Sequence, residues 1–231
     1  QGDIHVGGHA KLEYGVSIVP DNTPTLDAGT VQLLGTIRSA AQNSVLDLVD
    51  RGLDEIVLDA SYHVDDGQTL EIQKDGQPLR LVLDDADNQI SGDGTLLNEV
   101  ELSGGAVIRP GDSPGTLTIA NATTLGPGSR YEWEINDVSG DPGTNPGWDL
   151  LSVESNLEFT ATELQPVVLQ VVSLNGSNLP GLVDNLQTSV DYRWLIAEAN
   201  AITGFDSRAI DVDVSALRPF YQHVRTNDIR L

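Results

Sequence analysis

The stretch Ala106–Ala120, AVIRPGDSPGTLTIA, gives the clearest indication of fold in this chain. Its segment Pro110–Gly115 contains two prolines and two glycines. Proline fixes φ and glycine permits positive φ, so we expect the chain to turn sharply there. The apolar and β-branched residues on both sides favour pleated, half-buried backbone. The stretch therefore predicts two β-strands joined by a tight corner, which is the geometry of one coil of a β-solenoid.

Short runs of alternating apolar residues, cut by Gly, Asp and Asn, recur on both sides of this corner. Thr69–Ile72, Val100–Leu102 and Tyr131–Ile135 are examples, and period-two patterning of this kind is typical of strands. Between Ile56 and Ile119 the runs are short and fairly evenly spaced, which fits a parallel β-helix and also an antiparallel sandwich. We predict an all-β fold: a right-handed parallel β-helix, or β-solenoid, followed by a C-terminal β-sandwich-like or capping region.

The predicted organisation has four parts. Residues 1–19 form an N-terminal extended strand, which either donates itself to another subunit or pairs within its own fold. Residues 20–136 carry the solenoid coils, and residues 137–148 form a Gly/Pro-rich loop. Residues 149–231 form a β-rich capping domain, because its longer, more apolar strands are typical of a sandwich or of a cap over the last open edge.

One segment fits two structures equally well. In Ala40–Leu53, the residues Val45, Leu46 and Val49 lie near a helical stripe, and Gly52 is a candidate helix stop. The same residues also fit a strand of one coil. The sequence leaves both alternatives open.

Composition excludes several classes of function. The 231 residues include 35 acidic and 12 basic side chains, a formal net charge of -23. We expect no nucleic-acid partner, because phosphate binding needs clustered Lys and Arg. No apolar run approaches the roughly 20 residues that span a bilayer, so we expect no membrane insertion. The absence of cysteine excludes disulfides and thiolate chemistry. The chain starts at Gln1 without an initiator Met, which predicts removal of a signal peptide or trimming.

The candidate metal ligands are carboxylates in an acidic turn. Asp84, Asp85 and Asp87 offer several hard oxygen ligands on one turn, which is the chemistry that Ca²⁺ prefers. They do not follow EF-hand spacing, and a solvated acidic turn is the alternative. His5 and His9 lie in a Gly-rich start and offer a second, weaker metal-binding hypothesis.

Catalytic patterns are not recognisable in the sequence. Ser113 does not lie in a nucleophile elbow, and no Ser-His-Asp arrangement stands out. A glycosidase needs two facing carboxyl groups in a cleft, usually lined by aromatic residues. Aromatic residues make up only 5% of the chain, and we interpret Trp133, Trp148 and Trp194 as packing residues. We therefore expect no enzymatic activity, no catalytic residues and no cofactor other than the candidate calcium.

Four segments stand out by their motifs: ISGDGTLLN at 90–98, GGAVIRPGDSPGTLTI at 104–119, LGPGSRYEWEI at 125–135 and DLLSV at 149–153. They resemble strands of autotransporter-type passenger proteins. YRWLIA at 192–197 and ITGFD at 202–206 resemble the C-terminal half of secreted bacterial proteins that end in a PEP-CTERM sorting signal. The resemblance covers about residues 90–215. It implies a secreted or surface-displayed β-rich protein of a Gram-negative-type bacterium, and it supplies no catalytic residues.

These inferences lead to one functional expectation. We expect a non-enzymatic structural protein of the bacterial cell surface or extracellular matrix, which self-assembles through β-strand edges into a fibre or surface layer. The expected partners are further copies of the chain, in a homo-oligomer or polymer, and surface glycans. The alternatives are a carbohydrate-active β-helix domain, either lyase or glycosidase, and a calcium-stabilised adhesin.

Overall fold

The computed structural model describes residues 4–14, 30–50, 55–187, 189–217 and 220–221. Apart from one short 3-10 helix, Ser207–Ala209, the regular elements of these residues are β-strands, which confirms the all-β expectation. None of the helical structure in this part of the chain is long and apolar enough to cross a membrane. The strands are β1 (Ile4–Val6), β2 (His9–Tyr14), β3 (Thr30–Ser39), β4 (Asn43–Asp50), β5 (Glu55–Val64), β6 (Thr69–Lys74), β7 (Gln77–Pro78), β8 (Arg80–Leu83), β9 (Gln89–Gly92), β10 (Thr95–Leu96), β11 (Glu99–Leu102), β12 (Val107–Pro110), β13 (Thr116–Ile119), β14 (Thr123–Leu125), β15 (Arg130–Ile135), β16 (Asp141–Pro142), β17 (Gly147–Trp148), β18 (Leu150–Phe159), β19 (Val167–Ser173), β20 (Ala197–Thr203) and β21 (Ile210–Asp213).

The strands form two sheets, and nearly all neighbours in them are parallel. Sheet 1 stacks β1, β3, β5, β9, β12, β15, β19 and β21 in that order, with β17 and β16 beside β15. Sheet 2 stacks β2, β4, β6, β10, β13, β18 and β20, and a second row of β8, β11 and β14 also joins it at β18. Among the described strands, only the pairs β6–β7 and β15–β17 are antiparallel. Neighbours in each stack are therefore distant in sequence.

The core consists of apolar columns, each made of residues paired in register across successive strands. The main column of sheet 1 has buried members throughout β3 to β21: Ile37, Tyr62, Ile90, Ile108, Tyr131, Leu169 and Val212. A matching column in sheet 2 contains Leu70, Leu96, Ile119 and Val153. Burial of these side chains supplies the main favourable free energy of folding, because apolar area leaves water.

One buried side chain and one glycine fix the close approach of strands. Asn98 is fully buried: its Oδ1 accepts the N–H of Ile72 at 2.9 Å, and its Nδ2 donates to the carbonyls of Ile72 and Leu79, each at 2.8 Å. Gly92 has a φ of 107°, and a Cβ at this position would collide with the backbone of Val64. Both positions therefore allow little substitution.

Three sequence expectations are decided by this topology. The segment Ala40–Leu53 contains the strand β4 rather than a helix. The strand expected near the N-terminus is present as β2, while residues 15–19 lie outside the described part of the chain. For residues 149–231 the expectation is a sandwich-like or capping region; the described strands β18, β19, β20 and β21 add in parallel to the same two sheets and do not build a separate antiparallel sandwich.

Candidate functional site

The corner Pro110–Gly115 brings Asp112 close to two polar side chains of β5 and the turn after it, His63 and Asp65. It connects β12 to β13, as the sequence predicts. Gly111 has a φ of 82°, and its N–H donates to the carbonyl of Gly92 at 2.9 Å. The N–H of Gly115 donates to Oδ1 of Asp149 at 3.0 Å. These bonds hold the corner against β9 and against the residue that precedes β18, and Asp112 lies over His63 on the outer face of sheet 1.

His63 lies beneath this corner. On β5 its neighbours Tyr62 and Val64 face the core, so the alternation of the strand directs His63 to the opposite face. The imidazole is nevertheless only 5% exposed. Its Nε2 lies 3.1 Å from Oδ1 of Asp65 and 3.6 Å from Oδ1 of Asp112. We call His63, Asp65 and Asp112 the His63 cluster.

The second ring nitrogen of His63 is held by Ser91. Ser91 is paired with His63 across β5 and β9, and its Oγ lies 2.9 Å from Nδ1. Ser91, His63 and Asp65 are thus arranged in one chain of hydrogen bonds. Ser91 is only 5% exposed, so its hydroxyl is placed to orient the ring rather than to meet a substrate.

Asp93 adds a further carboxylate beside the His63 cluster. It accepts a hydrogen bond from the backbone N–H of Asp112, while its Oδ1 is buried without a hydrogen-bond partner. Burial raises the pKa of Asp93 to about 6, and the negative charges of Asp112 and Asp66 add to that rise. His63 and the Asp112 hydrogen bond act in the opposite direction. Negative charge is therefore poorly compensated at this position.

A second polar cluster lies further along the same face of sheet 1, and we call it the Arg109 cluster. The guanidinium of Arg109 lies 3.2 Å from Oε1 of Glu132 and 3.1 Å from Oε1 of Glu134. Burial raises the pKa of Glu134, and the charge of Arg109 opposes this rise. Asp149, fully buried, accepts the N–H of Glu134 at 2.7 Å as well as that of Gly115, and burial raises its pKa well above the ordinary value.

The structure does not gather the predicted calcium ligands into a site. Asp84, Asp85 and Asp87 are all exposed, and Oδ1 of Asp85 accepts the N–H of Asp87 at 2.9 Å. Within the described ranges, the one group of three potential ligand atoms lying within 4.8 Å of one another is the His63 cluster. His5 and His9 are exposed on the first two strands.

The aromatic residues singled out from the sequence are packed. Trp133 and Trp148 are buried, and their Nε1 atoms donate to the carbonyls of Asp149 at 2.9 Å and Leu195 at 3.0 Å. Trp194 is half-buried, with its ring centroid 5.7 Å from that of Trp133.

Sequence reasoning missed the His63 cluster because Asp112 belongs to a different coil of the chain from His63 and Asp65. Asp112 lies in the Pro/Gly turn, and nothing in the sequence places that turn beside His63. One signal was available: His63 is a polar residue between the apolar Tyr62 and Val64. That pattern places it on the outer face but does not indicate which residues lie opposite.

Comparison with known proteins supplies no relative. No protein-family model matches the sequence, and neither the curated proteins nor the solved structures include a significant match. The interpretation of the site therefore depends on the geometry of this chain.

Proposed function

We propose that this protein is a non-enzymatic scaffold of the bacterial cell surface or extracellular matrix, wound as a right-handed parallel β-helix. The observation that best supports this proposal is the unbroken register of the main sheet 1 column, from Ile37 to Val212. Each turn of the chain adds one strand to the main stack of sheet 1 and one to that of sheet 2, and the turns that contain β8, β11 and β14 add these to the second row of sheet 2. The right hand follows from the strong preference of parallel crossover connections.

The stacked main chain suits a load-bearing role. Each interior strand is bonded to a neighbour on both sides, and the columns bury apolar side chains along the whole described stack. The net charge of -23 makes the surface of the protein negative, and a negative surface repels nucleic acid and favours solubility. The acidic surface and the resemblance to secreted passenger proteins both support an extracellular location.

The two ends of the stack support assembly from head to tail. Among the described strands, β1 pairs only with β3 and β21 only with β19, so each end offers a parallel edge. If a second copy continues the register, its Ile4 falls on Val212 and its His5 on Asp213. An apolar contact would then lie beside an imidazole–carboxylate pair.

Apolar side chains are exposed at the C-terminal end of the stack. Ile202 on β20 continues the column of Leu157, yet it is 53% exposed because it belongs to the last coil. Phe205 packs edge-on against Phe159 and is 51% exposed. A second copy would cover both, which is the physical reason to expect association at this end.

The proposal is tested by comparing two variants that each place a carboxylate on an exposed apolar residue. Ile202→Asp changes the end of the stack, whereas Val82→Asp changes a side position that is 51% exposed. We expect filaments or larger species of the unmodified protein in sedimentation velocity and negative-stain imaging. Ile202→Asp should abolish them and Val82→Asp should not. A wild-type chain that stays monomeric at every concentration reached, or equal effects of the two variants, would refute assembly through the ends.

A further inference from the structure

We propose that the His63 cluster binds a divalent transition-metal cation, with Zn²⁺ as the probe that best matches its ligands. The ligand atoms are Nε2 of His63 and one Oδ1 each from Asp65 and Asp112, all within 4.8 Å of one another. Ligands held about 2.0–2.2 Å from a tetrahedral Zn²⁺ lie roughly 3.3–3.6 Å apart. The separations of Nε2 from the two carboxylate oxygens, 3.1 and 3.6 Å, agree with this spacing. This inference is independent of the scaffold proposal.

The imidazole is held as a metal ligand would be. Ligating histidines usually bond through the second ring nitrogen to a neighbouring acceptor, which fixes the tautomer and the ring plane. Here Nδ1 lies 2.9 Å from Oγ of Ser91. In the tautomer with Nδ1 protonated, the lone pair of Nε2 is directed between Asp65 and Asp112. Because His63 is 5% exposed and packed under the corner, the ring has little freedom to turn away.

The surroundings of the cluster favour a cation independently of its three ligand atoms. Oδ1 of Asp93, buried and without a hydrogen-bond partner, lies at the same corner. On neighbouring strands Arg38 pairs in register with His63 and Arg109 with Ser91, and Arg109 is already engaged by two glutamates. A bound divalent ion would offset the accumulated negative charge.

The donor set selects the class of metal. Imidazole nitrogen suits Zn²⁺ and its first-row neighbours, whereas Ca²⁺ and Mg²⁺ prefer oxygen ligands alone. Three protein ligands leave a further coordination position for water. Asp112 is 67% exposed, so its side chain can adjust to the ion without disturbing the core.

Isothermal titration of the metal-free protein with Zn²⁺ tests the proposal. His5→Gln and His9→Gln are introduced first, so that the exposed N-terminal imidazoles do not contribute. We expect one saturable site. Asp112→Ala should weaken it at least tenfold, while the matched control Asp84→Ala, which also removes one exposed carboxylate, should change the affinity less than twofold. The absence of a saturable site, or equal effects of the two alanine variants, would overturn the proposal.

A second variant tests the positioning role of Ser91 and does not touch the ligand atoms. Ser91→Ala leaves all three in place but removes the partner of Nδ1, and loss of such a partner typically weakens metal binding about 10- to 100-fold. Circular dichroism verifies that each variant is folded. Co²⁺ bound in place of Zn²⁺ should give the visible absorption of a low-coordinate nitrogen–oxygen site. The spectrum of free aqueous Co²⁺ in the presence of the folded protein would count against the site.

Discussion

Replacing Arg109 by methionine keeps a side chain of similar length and removes its positive charge. Arg109 lies within 3.2 Å of two glutamates, and the side chain of Glu134 is only 5% exposed. Removing one partner of a buried ion pair costs about 3–5 kcal/mol, because the other charge stays buried and unpaired. Since Arg109 itself is 38% exposed, water screens part of this effect. We expect Arg109→Met to lower the free energy of unfolding by about 2–3 kcal/mol at neutral pH.

The pH dependence follows from the remaining carboxyl group. Burial already raises the pKa of Glu134, and without Arg109 the pKa in the folded state rises further. The folded protein then binds this proton more readily than the unfolded chain does. Protonation of Glu134 therefore stabilises the folded variant. This stabilisation is complete below the unfolded pKa of about 4.3 and is lost as the pH rises through the pKa of Glu134 in the folded state. The cost of Arg109→Met should therefore be larger near neutral pH than near the unfolded pKa.

Urea unfolding, followed by tryptophan fluorescence at neutral pH and near the unfolded pKa of Glu134, measures the free energy of unfolding lost in Arg109→Met. Arg80 provides the matched control, because its guanidinium also contacts two glutamates, Glu99 at 3.0 Å and Glu101 at 2.7 Å, but is half exposed. Arg80→Met should cost less than about 1 kcal/mol. Adding Glu134→Gln should restore most of the stability lost in Arg109→Met. Equal losses in the two arginine variants, or no rescue by Glu134→Gln, would refute the reasoning.

Three further substitutions probe the packing around the corner and the core, and urea unfolding measures each. Asp149→Ala should destabilise by about 2–6 kcal/mol, because two buried N–H groups lose their acceptor; a loss below about 1 kcal/mol would contradict the assigned bonds. Asn98→Ala should cost about 2–4 kcal/mol, because the N–H of Ile72 loses its acceptor and the carbonyls of Ile72 and Leu79 lose a donor; an unchanged urea midpoint would argue against its role between strands. Gly92→Ala should cost more than about 1 kcal/mol, since alanine disfavours positive φ and its Cβ meets the backbone of Val64; a neutral result would mean that β5 and β9 are further apart than described.

The individual strands and the corner are predictable from the sequence because they depend on local chemistry. Thr69–Ile72 lies within β6 and Tyr131–Ile135 within β15; burial alternates with the sequence along Thr69–Ile72 and from Arg130 to Trp133, while the charged Glu134 is also buried. The turn at Pro110–Gly115 follows from proline and glycine backbone preferences. Local patterns of this kind do not depend on which strands become neighbours.

Register between strands is not predictable in this way. Ile37 pairs with Tyr62, Tyr62 with Ile90 and Ile90 with Ile108, so the spacing between partners changes at every step. The number of residues in the intervening turns determines which residues pair. The sequence has no fixed repeat length from which these pairs could be predicted. The contact between His63 and Asp112 depends on two such steps, from β5 to β9 and from β9 to β12, which is why the sequence does not predict the candidate site.

Pairing with neighbouring strands explains both the helix-or-strand ambiguity of Ala40–Leu53 and the sandwich-like region expected within residues 149–231. In β4, Val45, Leu46 and Leu48 are all buried, so the apolar pattern lacks a clear period, and pairing with β2 and β6 decides the structure. The long strand β18 pairs through Leu150–Val153 with β13 and through Leu157–Phe159 with β14. One long strand thus takes the place of two short ones, which in sequence resembles a change of architecture.

The order of strands in sheet 1 also has a mechanical consequence. Each interior strand from β3 to β19 is held by the strand that precedes it in the stack and by the one that follows. Tension applied to the two termini would therefore meet resistance from one pair of strands at a time, beginning at whichever end is weaker. Single-molecule extension should proceed by successive small ruptures, each releasing a few tens of residues, so that the molecule dissipates work gradually while its middle stays intact.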